Sequence, residues 1–148
     1  MSTEANKAIF RRMIEELWNQ GNLDVADELF TADSTSPSAP GLPPGPAGVK
    51  AIAGMFLKAF PDLHITIEHE IADGDRVFGH LRERGTHTGP LVTPAGEVPP
   101  TGRSVDFNEM AIVRIADGKI AESWYDTDMV GMLMQIGVIP TPEPAPTG

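Results

Sequence analysis

From Glu4 to Gln20, apolar side chains recur at Ala8, Ile9, Met13, Ile14, Leu17 and Trp18, with charges between them. That spacing puts them on one face of a helix over residues 4–20, and Gly21-Asn22 stops it. Leu23 to Phe30 predicts a second, shorter helix. Pro46 to Phe60 predicts a third, with Val49, Ile52, Ala53, Phe56 and Phe60 on one side and Pro61 after it. Ser34 to Gly48 is rich in Pro, Gly and Ser and reads as an irregular loop over the surface or a pocket mouth. After Pro61 the period changes to two. Leu63, Ile65, Ile67 and Ile71 alternate with His64, Thr66 and Glu68, which predicts a strand. Strands follow over Val77–Arg84, Ser104–Ile115 and Ile120–Thr127, with turns at Asp73-Gly74-Asp75 and Asp117-Gly118. A long loop fills Thr86–Gly102. Met129–Ile136 predicts a last helix, and the tail PTPEPAPTG is expected to be disordered.

Helices followed by a mostly antiparallel sheet define an α+β class. A sheet of this kind, if strongly curved and wrapped on the three N-terminal helices, would give a cone with an internal cavity. The length of 148 residues predicts one domain over 1–140. Lys and Arg number 11 and Asp and Glu 21, a formal charge of −10. That balance disfavours nucleic acid and anionic membranes as partners. It leaves a neutral or weakly polar organic molecule. There is no cysteine, so no disulfide or thiolate chemistry. The four histidines, at 64, 69, 80 and 87, lack metal-type spacing, so no metal site is expected. No apolar run spans a membrane and the N-terminus lacks a signal pattern, so the cytoplasm is expected.

The stretch GTHTGPLVTPAGEVPPTGR, followed by VRIADGKI and by MLMQIG, resembles the SnoaL-like polyketide cyclases, also called ester cyclases. FRRMIEELWNQGNLDVADELF is similar to the first two helices of that family. The resemblance runs from about Asn6 to Pro140. It implies the cone-shaped fold shared with nuclear transport factor 2, ketosteroid isomerase, scytalone dehydratase and limonene-1,2-epoxide hydrolase, and it implies a homodimer. In the aromatic polyketide cyclases a histidine on the third strand pairs with an aspartate on the last, for an intramolecular aldol closure. Those positions fall on Ala111 and Tyr125 here. In the epoxide-hydrolase pattern, Asp-Arg-Asp falls on Glu83, Leu81 and Tyr125. Its water-holding Tyr and Asn fall near Ser36 and Ser38.

The same register turns odd-numbered strand residues inward: Leu81, Glu83, Phe107, Glu109, Ala111, Val113, Ser123 and Tyr125. A one-residue slip or a bulge near Glu83 or Ser123 would reverse the list. Glu109 stands out, a carboxylate at a core-facing position of VDFNEMAIV, where burial costs energy or forces protonation. It could instead pair with Arg82 or Arg84. Glu83 in HLRERG could be a surface ion pair or, inside, a second acid. Two inward glutamates would give a proton donor and an acceptor. Tyr125 could donate to a developing oxyanion or an epoxide oxygen, or be a core aromatic. Trp18, Phe56 and Phe60 would form the apolar floor, and Ser123 part of the wall. Asp128 suits the N-cap of the last helix. Asp126 would point away from the cavity or lie past its rim. His87 reads as a turn residue. His80 and Arg82 would face outward where dimers pair, and His69 approaches the cavity.

Glu83, Glu109 and Tyr125 could thus supply acid and base without metal or cofactor. The expected function is ring closure of an apolar polyketide or terpenoid intermediate, by epoxide opening in place of aldol closure. The alternatives are an epoxide hydrolase, a non-catalytic binding module and a dimerising interaction module.

Overall fold

The computed structural model describes residues 2–142, and the tail expected to be disordered lies outside the described residues from 143 onward. The chain opens with α1 (Thr3–Arg12). The Ser2 hydroxyl accepts the Ala5 N–H at its N-terminus, while Arg11 and Arg12 occupy its last turn, each on the favourable end of the helix dipole. The predicted helix over 4–20 then changes pitch. Met13–Asn19 is a π-helix, in which Gln20 N–H reaches back to Glu15 O. Its wider turn brings residues five apart onto one face, so Met13, Leu17 and Trp18 face the interior together.

The predicted second helix is shorter than expected. Leu23–Val25 forms a 3₁₀ turn and α2 covers only Ala26–Leu29. Phe30 instead opens an unexpected strand, β1 (Phe30–Thr35), which runs parallel to the last strand. Its partner lies far along the chain, and FTADST has little apolar alternation to announce it. The third helix, α3 (Pro46–Ala59), carries Pro46 in its first turn, where the missing N–H costs nothing.

The main sheet contains β2 (His64–Asp73), β3 (Arg76–Thr86), β6 (Ser104–Ala116) and β7 (Lys119–Thr127), in the order β1-β7-β6-β3-β2. All pairs are antiparallel except β1 with β7. The predicted loop over 86–102 holds a small hairpin, β4 (Leu91–Thr93) with β5 (Gly96–Val98). Helix α4 (Met129–Gln135) closes the fold.

Two bulges shift the alternation. Ile67 pairs with Leu81 but His69 pairs with His80, leaving Glu68 unpaired. Ile71 therefore turns outward and is 62% exposed, contrary to its expected inward place. His69, expected near the cavity, turns outward for the same reason. The second bulge, at Ala121, lies between the pairs Arg114–Glu122 and Ile115–Ile120. It sits upstream of Ser123, so Ser123 and Tyr125 keep the inward register.

The core lies between the concave face and the helices: Phe10, Met13, Leu17, Val77, Leu81, Val113 and Ile120 are buried together. Gly79 is needed there, because a Cβ would stand 2.5 Å from the Phe10 ring. At the edge of β2, the Asn19 amide both donates to Ile65 O and accepts from Ile65 N–H, which satisfies the free backbone groups of that residue.

Candidate active site

The concave face, α3 and the 34–48 segment enclose a cavity of about 870 Å³, within the range that holds a drug-sized molecule. Its floor is apolar: Leu17, Trp18, Phe30, Val49, Ile52 and Phe56. Trp18 and Phe56 meet edge to face with ring centroids 6.4 Å apart. The Pro-rich segment forms one wall and Leu91–Pro94 of the small hairpin another. That segment is tied at both ends. Ser38 Oγ accepts the Tyr125 N–H at 2.9 Å, and Gly45 N–H donates to Ser34 O at 2.8 Å. Gly45 has φ +79, and a Cβ on it would meet Ala32 O at 2.4 Å, so only glycine fits this closure.

Of the residues singled out in sequence, Trp18, Ser36, Ser38, Phe56, Glu109, Ser123 and Tyr125 border the cavity. Phe60, Leu81, Phe107 and Ala111 also face inward, but they are packed in the core and do not reach the cavity surface. Alternation along a strand assigns the face, whereas the helices laid over it decide which positions stay open. Glu83 is likewise inward and only 7% exposed. It lies beneath the cavity wall and not on it.

The glutamates have no cationic partner among the described residues. Arg82 and Arg84 both turn outward and pair with Asp106, with Arg82 contacts of 2.7 Å. This removes the alternative of an arginine partner for Glu109. Register places Leu81 opposite Glu109 and Phe107 opposite Glu83. The two residues are therefore diagonal neighbours on one face, with backbone positions roughly 7–8 Å apart. Burial raises the Glu83 carboxyl well above the ordinary glutamate range, and the charge of Glu109 raises it further. Burial raises Glu109 too, opposed by a hydrogen bond from Thr127. Thr127 Oγ1 donates to Glu109 Oε2 at 2.5 Å.

Tyr125 has its phenol raised by burial first, with further upward pushes from Glu109 and Glu83. Its hydroxyl donates to the Met13 thioether at 3.6 Å, and Ser123 beside it lowers the phenol's pKa against the push of burial. Thioether sulfur is a weak acceptor, so the proton is available to a better oxygen. Tyr125 is the direct cross-strand partner of Ala111.

Asp128 caps α4, its Oδ1 accepting the Gly131 N–H at 2.9 Å. Asp126 is exposed and borders the cavity at its rim. His87 is fully buried, with Nδ1 accepting Thr101 N–H at 3.2 Å, and burial lowers its pKa. His69 and His80 meet on the outer face, Nδ1 to Nδ1 at 3.0 Å. No group of three or more His, Cys, Asp or Glu among the described residues could hold a metal ion. Thr127 was not singled out in sequence. Thr127 stands two residues past Tyr125 on the same face, a position the alternation could have flagged.

Among the described residues, the cavity wall carries Glu109 and Asp126 and no Lys, Arg or His. It can therefore hold an apolar molecule of low charge, offer it a carboxyl with an elevated proton affinity and direct a phenol at one of its oxygens.

Residues 8–136 match the family model described as SnoaL-like polyketide cyclase. The chain is 33% identical over 149 aligned positions to the aklanonic acid methyl ester cyclase DnrD of Streptomyces peucetius, covering 97% of each. It is 30% identical over 123 positions to the nogalonic acid methyl ester cyclase of Streptomyces nogalater, covering 81% of this chain and 89% of that one. The fold matches that of TsrD from Streptomyces laurentii with a TM-score of 0.84, 94% of this chain and 99% of that one being covered at 21% identity. The chain is thus a member of the SnoaL-like polyketide cyclase family, with that family's cone-shaped α+β fold.

Proposed function

We propose that this protein closes a ring in an apolar polyketide intermediate by proton transfer through Glu109, with Tyr125 holding the oxygen on which charge develops. The observation that carries the proposal is the Glu109 carboxyl, set in the wall of a largely apolar cavity without a cationic partner among the described residues. Ionised Glu109 takes the proton from the atom that becomes the nucleophile. The phenol, kept neutral by burial, donates to the oxygen that gains charge as the bond forms. The acid form of Glu109 then returns the proton to that oxygen, so closure consumes no proton overall. Glu83, beneath the wall, keeps its proton and adds no second charge.

The family resemblance of the two methyl ester cyclases supports a neutral ester as substrate. One observation favours a second bond-forming mode. Ala111 is buried where the aldol histidine would stand, facing Tyr125 across the strand pair. A carboxylic acid beside a phenol suits protonation of an epoxide oxygen while a hydroxyl attacks. Incubating the protein with a polyketide keto ester and, separately, with a hydroxy-epoxide analogue distinguishes the two by product mass and chromatographic retention. Ring closure of the keto ester supports carbon–carbon closure, and closure of the epoxide supports the second mode. Tight binding of both with no product would defeat the catalytic proposal in favour of a binding module.

The quaternary state belongs to the same proposal. Ile71, Phe78, Ile112 and Trp124 line up across four strands on the outer face, with Met110 in the next row. Met110 and Ile112 are 43% and 37% exposed. Such a band supports pairing with a second copy. Light scattering on Met110→Asp tests it, a fall from dimer to monomer mass being the expected result.

A further inference from the structure

We infer that Thr127 is a positioning residue, whose hydroxyl singles out Glu109 over Glu83 as the carboxyl that gives up its proton and leaves one defined Glu109 oxygen for the substrate. The inference rests on the assignment of Glu109 as the proton-transfer group.

The two glutamates share one face but not one depth, and beyond their unequal burial the geometry supplies a second difference between them. Thr127 on β7 is the direct cross-strand partner of Glu109 on β6. Both side chains stand on the concave face and both border the cavity. Thr127 Oγ1 donates to Oε2 of Glu109. Oε1 has no hydrogen bond among the described residues and is the oxygen left for a ligand. Glu83, opposite Phe107, has no donor to its carboxyl among the described residues. A hydroxyl carries a single proton, and a carboxylate accepts it more strongly than a carboxylic acid does. The contact therefore favours the charged form of Glu109 alone.

The proton affinities run the same way. Burial raises both carboxyls, but only Glu109 is drawn back down, by Thr127, while Glu83 is raised further by the charge on Glu109. The titratable groups facing this position are Glu83 from β3, Tyr125 from β7 and, at the rim, Asp126. The helices, the 34–48 segment and the small hairpin present only uncharged side chains to the cavity. The hydroxyl of Thr127 therefore widens, in the same direction, the order of ionisation that the deeper burial of Glu83 begins.

The test compares Thr127→Val, which keeps the shape and removes the donor, with Thr127→Ser, which keeps the donor. The carboxyl carbons of Glu109 and Glu83 are followed by ¹³C NMR against pH in ligand-free protein, assigned with Glu109→Gln and Glu83→Gln. The valine variant is expected to raise the Glu109 midpoint by about one pH unit, to move the acid limb of kcat/KM with it, and to leave the melting temperature close to wild type. The serine variant should restore both. An unmoved midpoint in the valine variant, or one that serine fails to restore, overturns the inference. Thr127→Ala is read by the same criteria if the valine variant does not fold. Undiminished ring closure by Glu109→Gln would instead overturn the assignment of Glu109, and the ligand-free titration would still decide the role of Thr127.

Discussion

The two faces of the β3–β6 pair treat the same kind of side chain in opposite ways. On the convex face, Arg82 and Arg84 meet Asp106 in solvent-exposed ion pairs. On the concave face, Glu83 and Glu109 have no cation among the described residues and are raised toward protonation by burial. Arg82, Glu83 and Arg84 are consecutive in the chain, so a single step along a pleated strand separates the two fates. A charge on the outer face is solvated and contributes little. A carboxyl on the inner face carries a cost in its ionised form that only a proton, a donor or a ligand relieves. That contrast locates the chemistry of this fold better than the count of acidic residues does.

Substitutions on the two faces should therefore differ in kind. The largest effect is expected at Glu109. Glu109→Gln should lower kcat by about 10³-fold, within the span of general acid–base catalysis, with ligand affinity by calorimetry retained. Next comes Tyr125→Phe, which removes the oxygen-side donor and should cost about 10²-fold in kcat with little change in KM.

Glu83→Gln should act mainly on stability, with a definite sign. The Glu83 carboxyl is raised in the folded state, so the unfolded chain ionises first as pH rises. Stability is then full below the ordinary glutamate range and is lost as pH climbs toward the folded value. The glutamine variant should melt higher than wild type at pH 8, by about 3 °C for an effect of roughly 1 kcal/mol. The two should coincide near pH 4, and a wild-type advantage at pH 8 would contradict the burial argument. The smallest effect belongs to the convex face. Arg84→Ala should leave the melting temperature and kcat unchanged within error in moderate salt, because the ion pair it removes is exposed.

Much of this fold was legible from period alone. The change from helical spacing before Pro61 to alternation after it defined the helices and the four long strands, and odd-numbered residues of β3, β6 and, past the bulge at Ala121, β7 do face inward. Glu109 was legible because a carboxylate interrupts an apolar alternation in VDFNEMAIV. The bulge at Glu68 was not, because IEHEI alternates acceptably in either register, and so Ile71 and His69 fell on the wrong face. Strand β1 was missed because a six-residue polar strand depends on a partner some 90 residues away. The cavity outline was only half legible. Leu81, Phe107 and Ala111 share a face with Glu109, and packing by the helices closes over them while leaving Glu109, Ser123 and Tyr125 open. Such depth is a property of tertiary packing.

The most direct test of Glu109 as the proton-transfer group is a crystal structure with an unreactive substrate analogue in the cavity. The predicted result puts the acidic C–H or O–H of the analogue about 3 Å from Glu109 Oε1, and its acceptor oxygen within hydrogen-bond reach of the Tyr125 hydroxyl. An analogue whose reacting atoms lie against Asp126 at the rim, with Glu109 out of contact, would contradict it.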